Sequence, residues 1–504
     1  MQRSPTIDSQ LAKQISAEID TWLQTDAPAS PSLVFGIFDR DGMQLCVGSG
    51  NVNGQAPNES TIYRIASMSK SFTAATLLLL AERGSLGLCD EVRMYVPDFP
   101  DYVDETGTVV PVQLWMLLAN CSGLPHDNAW ADQLAGRSEA FLREQLRAGL
   151  SYSAAPGTYY QYSNLGFAVL GLVVTAATGR PFTELATREL LTPLGLASTH
   201  WDTADYPDTA RLQLATGFET YDGGEHWEHR PNVPTGMMAP AGSLYSNAAD
   251  IARWCNWLAA AFDRQFGDDS VLSRAARRRM QCAHTLIPSM EDRMNRPDLD
   301  GIGYGFGLIV EHSHRYGVIA QHSGGLPGFS SHMRWHHETG VGVVVLGNTN
   351  GLPTAQWGKR LLERTLDGLD APARTVQLWP ETRVAAAALD RSICESAGLS
   401  GATTHIDENV YADIPQAVRE QRLNVMIDQI GGITPNQAPL HTRMGWAASP
   451  AHLAWRIRGR SGELSCEVEL TPLASRKIQR IELNILHSQQ PGELVAYRYR
   501  PEQL

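Results

Sequence analysis

Apolar residues near the start of the chain (Ile7, Leu11, Ile15, Ile19, Trp22 and Leu23) recur at three- and four-residue intervals. This is the repeat of one helix face, and it predicts an amphipathic helix over 8–24. The stretch "SLVFGIFDRDGMQLCVGSG" then places two apolar runs around Asp41-Gly42, the signal of a hairpin. A helix should begin near Ser67 and stop by Gly84. From about 85 to 300 the pattern is mostly helices and long loops, among them "VQLWMLLANCSGLP", "NLGFAVLGLVVTAATG" and "NAADIARWCNWLAAAF". Strand-like runs return in "GYGFGLIVEH", "RYGVIAQHSG", "SSHMRWHH" and "GVGVVVLGN", the last two flanking Glu338-Thr339-Gly340. A helix over "TAQWGKRLLERTLDGL" closes this block.

Strands at both ends of a block with helices between them imply that the ends pair in one sheet, the inner helices forming a separate layer. Residues 1–370 are therefore expected to form one domain and 371–385 a linker. Beyond it, "RLNVMIDQI", "HLAWRIRGRS", "LSCEVELTPL" and "KIQRIELNIL" alternate apolar with polar residues, as half-buried antiparallel strands do. Residues 386–504 are read as a smaller antiparallel, β-rich, barrel-like domain. The fold class expected is α/β in the broad sense (α+β): an antiparallel sheet flanked by helices, an all-helical region, and the accessory domain.

Composition narrows the function. Of 504 residues, 43% are hydrophobic and 19% charged, which suits a globular protein with a sizeable core. The formal charge of −13 argues against nucleic acid or an anionic membrane as a partner. No apolar run is long enough to span a bilayer, and the N-terminus has no secretory h-region, so a cytoplasmic location is expected. The 7 cysteines are scattered without a Cys-x-x-Cys, which points to neither a disulfide framework nor a zinc site. No metal or cofactor is called for.

Lysine is scarce. It stands at Lys13, Lys70, Lys359 and Lys477, while arginine carries most of the basic charge. Lys70 alone lies three residues after a serine, Ser67, in "RIASMSKSFTAA". On a helix these two share a face. A serine hydroxyl is a poor nucleophile until a base takes its proton, and a buried lysine can lose its own and serve; arginine cannot. Ser67 near a helix start also places its N–H where developing negative charge is favoured. Ser-x-x-Lys alone occurs by chance in a chain this long, so partners matter. One is Tyr162-Ser163-Asn164: a tyrosine beside a cationic lysine can have its pKa pulled down and act as a base or shuttle, and Asn164 can hydrogen-bond a substrate amide. The same tripeptide recurs at Tyr245-Ser246-Asn247, and both precede helical patterns, so N-capping explains them equally well. A second partner is His322-Ser323-Gly324-Gly325 at a strand end. There Gly324 and Gly325 permit close backbone approach, Gly325 N–H is a candidate oxyanion donor, and His322 can stay neutral or titrate near its ordinary value.

Taken in order, Ser-x-x-Lys, Tyr-x-Asn and His-x-Gly resemble the signature of the serine β-lactamase and penicillin-binding-protein superfamily. Their spacing resembles its class C branch, which includes D-aminopeptidases, family VIII esterases and 6-aminohexanoate-dimer hydrolases. "LLANCSGLP", "PGTYYQYSNLGFAVLG", "YGFGLIV" and "HSGGLPGF" strengthen the likeness, which covers about residues 10–370. "PAGSLYSNAADIARW" falls where the family carries a non-catalytic helix start. The resemblance implies a β-lactamase-like fold and an acyl-enzyme on Ser67. Lys70 and Tyr162 would share proton transfer, the N–H groups of Ser67 and Gly325 would hold the oxyanion, and Asn164 would orient the substrate. Which of Lys70 and Tyr162 is the acylation base stays open. Two departures stand out: His322 replaces the lysine usual in the branch's β-lactamases, and Asn120 replaces a histidine. The first points away from carboxylate-bearing antibiotics and toward small peptides or amides, including D- or non-standard residues. A carboxylesterase and an acylated sensor without turnover are the alternatives. The C-terminal domain resembles in position the barrels appended to D-aminopeptidases, and homo-oligomer formation is left open.

Overall fold

The N-terminal helical spacing forms α1 (Ser9–Thr25), which buries Leu11, Ile15, Ile19 and Trp22 along one face. The computed structural model describes residues 7–25, 30–263, 269–288, 298–371, 375–486 and 500–501. Two compact units divide the chain, Met1–Ala371 and Pro372–Leu504.

In the first unit, β1 (Ser32–Asp39) and β2 (Gly42–Gly50) form the expected hairpin. They join β3 (Thr285–Leu286), β4 (Leu299–Tyr304), β5 (Ile309–Ser313), β6 (Gly317–Leu326), β7 (Phe329–His336) and β8 (Gly342–Gly347) in one antiparallel sheet of order β2-β1-β8-β7-β6-β5-β4-β3. The sequence ends of the unit pair side by side as β1 and β8, with Leu33 opposite Gly347 and Phe38 opposite Gly342. Both faces are covered where β1 and β8 pair, so these two strands are buried along their whole length and apolar on both sides. Val343 and Val345 pack with α1 and with α5 (Thr354–Gly368), while Val344 and Leu346 face the opposite, helical layer. That layer contains α2 (Ser69–Glu82), α3 (Asn164–Thr178) and α4 (Ala248–Ala259). Every residue of α2 from Ser69 to Leu80 is buried. Gly84 follows with φ +71°, the left-handed stop that glycine supplies.

Three expectations need correction. "GYGFGLIVEH" is two strands, not one: β4 and β5 are separated by a turn in which Gly307 takes φ +68° and lies against the Lys70 carbonyl, where a side chain has no room. "RLNVMIDQI" is helical, part of α7 (Gln416–Gln429), after α6 (Pro380–Ser396). Its buried residues are Leu423, Ile427 and Ile430, spaced four and three apart, whereas Val425 is 51% exposed; the alternation was coincidental. The expected linker ends early, because α6 starts at Pro380, and residues 372–374 lie outside the described residues. The second unit thus places helices before a four-stranded antiparallel sheet, β9 (Met444–Trp446), β10 (His452–Arg458), β11 (Glu463–Leu470) and β12 (Ile478–Leu486), paired in that order. It has its own core, including Leu389, Ile393, Trp455 and Val468. Among the described residues, no single helix is long and apolar enough to cross a membrane.

Candidate active site

Ser67 sits in a one-turn 3-10 segment, Ala66–Met68, that runs into α2. The chain is held on both sides of the sheet edge that precedes it. Ile65 N–H donates to the Leu244 carbonyl at 2.9 Å, and Ser331 Oγ, on β7, donates to the Ile65 carbonyl at 2.7 Å. Ala66 is left-handed, φ +49°, a conformation that costs a non-glycine residue about 1–3 kcal/mol and persists only where the surroundings enforce it. Gly324 on β6 makes the fit possible: a Cβ there would collide with the Ile65 carbonyl and the Ser331 hydroxyl. At Gly325 an added Cβ meets nothing, so this residue faces open space.

Lys70 projects from the first turn of α2 into the interior and is fully buried. Its Nζ lies 3.1 Å from Ser67 Oγ, 2.6 Å from Asn164 Oδ1 and 2.9 Å from the Ala241 carbonyl. Asn164 Oδ1 and the carbonyl only accept. An uncharged amine can therefore donate its two hydrogens to them and turn its lone pair to the Ser67 hydroxyl, while the ammonium can donate to all three. Burial brings the pKa of Lys70 down to about 7, against an opposing pull from the carboxylates of Asp127 and Asp132. The side chain thus has a hydrogen-bond arrangement for each protonation state.

Tyr162 hydrogen-bonds to Ser67, and the Lys70 Nζ lies 4.7 Å from its ring centroid. The expected fall in its pKa does not occur: burial pushes the phenol well above its ordinary range, outweighing the Ser67 hydrogen bond. Tyr162 is therefore a neutral hydroxyl in this site. Asn164 also differs from expectation. With its amide oxygen on Lys70, its Nδ2 donates to Asn128 Oδ1 at 2.7 Å and to Asp127 Oδ1 at 3.3 Å, so both ends of the amide are already engaged, one of them on the base. The helix start is built in detail. Ser163 caps α3 by accepting from Gly166 N–H, and the Asp127 carboxylate accepts from the N–H groups of Asn164 and Leu165 and from the Ser163 hydroxyl. Asn120 now has a role: at φ +53° its Oδ1 accepts from Ser163 N–H and its carbonyl from Gln161 N–H, bracketing Tyr162. In the second tripeptide Asn247 caps α4, and Tyr245 is buried beside Arg64 in a short strand pair, which makes that copy structural.

His322 is buried 6.1 Å from Tyr162, ring centre to ring centre. Its Nδ1 lies 2.6 Å from the Ser323 carbonyl, so that nitrogen carries the hydrogen and Nε2 accepts from the Tyr304 hydroxyl at 3.0 Å. Burial, and then the charge of Lys70, lower its pKa to about 3. It does not titrate near neutrality and supplies no positive charge there. A small cavity of about 10 Å³ opens at the nucleophile. Ser67, Asn164 and Asp132 are its polar lining, and Ala131, Ala135 and Leu326 are among its apolar lining.

The structure brings Ser67, Lys70, Tyr162 and Asn164 together, with His322 and Gly324 against the same group. Sequence reasoning passed over Asp127, Asp132 and Tyr304. None of these lies in a run whose spacing marks it, and Asp127 acts on residues 36 to 38 positions away. Among the described residues, Asp222, Glu225 and His226 bring possible ligand atoms together, but all three are exposed and have no further observation to make them a metal site.

The Beta-lactamase family profile matches residues 23–365. Penicillin-binding protein 4* of Bacillus subtilis (strain 168) is 27% identical over 303 residues, covering 57% of this chain and 61% of that protein. The D-alanyl-D-alanine-carboxypeptidase/endopeptidase AmpH of Escherichia coli (strain K12) is 26% identical over 326 residues, covering 60% of this chain and 78% of that one. The chain thus spans about three fifths of the first of these relatives. Among solved structures, the octameric penicillin-binding protein homologue from Pyrococcus abyssi superposes with a TM-score of 0.58 at 20% identity, covering 95% of this chain and 96% of that one. This likeness is one of fold and extends through both units.

Proposed function

The chain belongs to the Beta-lactamase family, and from the chemistry of its site we propose that it is a serine hydrolase that cleaves small peptides or amides through an acyl-enzyme on Ser67. The observation that carries this reading is the 3.1 Å contact between Ser67 Oγ and a buried lysine whose pKa is brought down to about 7. Lys70 is the acylation base in this scheme, because Tyr162 is held in its neutral form. The Ser67 proton passes to Lys70 Nζ as Oγ bonds to the substrate carbonyl carbon, and the oxyanion is met by the N–H groups of Ser67 and Gly325. Tyr162 hands its hydroxyl proton to the leaving nitrogen and recovers one from Lys70 as the C–N bond breaks. Water then attacks the ester and gives its proton to the regenerated amine, which returns it to Ser67 Oγ as the bond from Oγ to the acyl carbon breaks. A D-configured substrate is supported by the likeness to a D-alanyl-D-alanine-carboxypeptidase/endopeptidase.

The test pairs D- and L-amino acid p-nitroanilides with p-nitrophenyl esters and follows Ser67 by intact mass. Hydrolysis of an anilide, lost in Ser67→Ala and reduced on the order of a hundredfold or more in Tyr162→Phe, is expected. Turnover of esters alone would replace the amidase reading with a carboxylesterase. A lasting Ser67 adduct without turnover would make the protein an acylated sensor.

A further inference from the structure

Asp132 carries the charge in the lining of the cavity at Ser67, where the other lining residues are neutral. Among the described residues it has no hydrogen-bond or ion-pair partner. Three charged groups act on it: Lys70, then Asp127, then Arg64. None is a contact partner. Lys70 is committed to Ser67, Asn164 and Ala241, Asp127 is engaged at the start of α3, and the Arg64 guanidinium lies over the Tyr245 ring, 5.6 Å from its centroid. Burial raises the Asp132 pKa to about 6, so the carboxylate is largely ionised at neutral pH. A half-buried charge without a partner is costly, and an incoming charge of opposite sign relieves that cost. Across the site, His322 is neutral where a cation would be needed to hold a substrate carboxylate.

We propose that Asp132 is a specificity-determining residue that binds the α-ammonium group of the residue acylating Ser67, so that the preferred substrates carry a free amino terminus. This rests on the reading of Ser67 as the nucleophile. Ala131, Ala135 and Gly242 stand with Asp132 in that lining, and their small size favours a small residue at that subsite. Binding and activation are then coupled. Asp132 is one of two carboxylates that raise the pKa of Lys70. Pairing Asp132 with a substrate ammonium offsets that contribution, so the occupied site favours the uncharged amine that acylation needs.

The experiment measures kcat/KM of the full chain on glycine and D- and L-alanine p-nitroanilides and p-nitrophenyl esters, each with a free amine and as its N-acetyl counterpart. Between about pH 6, where Asp132 ionises, and about pH 8, where an α-amino group loses its proton, the free amine is expected to be preferred on the order of tenfold or more, and Asp132→Asn to cut that ratio by a similar factor, chiefly through KM. Asp132→Glu should restore part of the preference, which an unfolded variant cannot do. Equal rates for the two series, or a ratio indifferent to Asp132→Asn in a protein with wild-type circular dichroism, would overturn the assignment and leave the hydrolase reading in place. Failure of every compound to acylate Ser67 would overturn both.

Discussion

A fully buried lysine in the helical layer, with no carboxylate in contact among the described residues, is held at the expense of stability. The ordinary value of 10.5 falls to about 7 because the interior disfavours the ammonium. Two outcomes follow at this single residue. If Lys70 must be uncharged to accept the Ser67 proton, kcat/KM should rise with pH along a limb centred near 7, and His322, with its pKa near 3, should add no step of its own between 5 and 9. Lys70→Arg, which keeps the charge but cannot release a proton, should remove activity at every pH in that range; near-normal rates from the folded variant would end the role assigned to the amine. The second outcome concerns folding. Between about 7 and 10.5 the unfolded chain holds the Lys70 proton and the folded chain does not, so stability contributed through this group increases with pH across that window. Below about 7 both states are protonated and the full penalty stands. Lys70→Met should therefore raise the thermal midpoint while abolishing activity, with a larger gain at pH 6 than at pH 9. Calorimetry at the two pH values reads this directly, and a lower midpoint for Lys70→Met at pH 6 would contradict it.

At the scale of elements, the site depends on how closely strand β6 and the turn before α2 approach each other. Gly324 and Gly325 are neighbours with opposite demands. Gly324→Ala drives a methyl into the backbone at Ile65 and should lower the thermal midpoint and displace Ser67, whereas Gly325→Ala points into open space and should leave the midpoint within error. Equal effects on melting for the two variants would refute the packing argument. The same elements explain what could be read in advance. The Ser67–Lys70 pair needed only helical spacing, and Tyr162-Ser163-Asn164 could be placed because a capping residue announces a helix start. The work that Asn164 performs was not legible, since its amide is turned by Asp127 and Asn128 from a separate segment. The interruption between β4 and β5 escaped the apolar pattern because Gly307 is required by a neighbouring carbonyl rather than by its own run. In α7, a short stretch that alternates by chance also satisfied a helical spacing, and burial of Ile430 beside Leu423 and Ile427 decided between them.

At the scale of the whole chain, two compact units imply two cooperative responses. The first unit is closed by pairing between β1 and β8, so its N-terminal hairpin cannot be removed without opening the sheet that carries Gly324. The second unit is organised around Trp455, which is buried and donates its Nε1 hydrogen to Asp390 Oδ1 at 2.9 Å, while Arg443 binds the same carboxylate through both Nη atoms. Truncating Trp455 to alanine removes a large buried side chain and one hydrogen bond to that carboxylate, a loss of about 3–5 kcal/mol. None of the residues that hold Lys70 or Ser67 belongs to this core. In Trp455→Ala, calorimetry should accordingly show one transition moved to lower temperature and a second near its original position. At temperatures between the two, Ser67 should still be acylated by a reactive ester. A single transition that shifts as one, with acylation lost alongside it, would mean that the nucleophile depends on the second core after all.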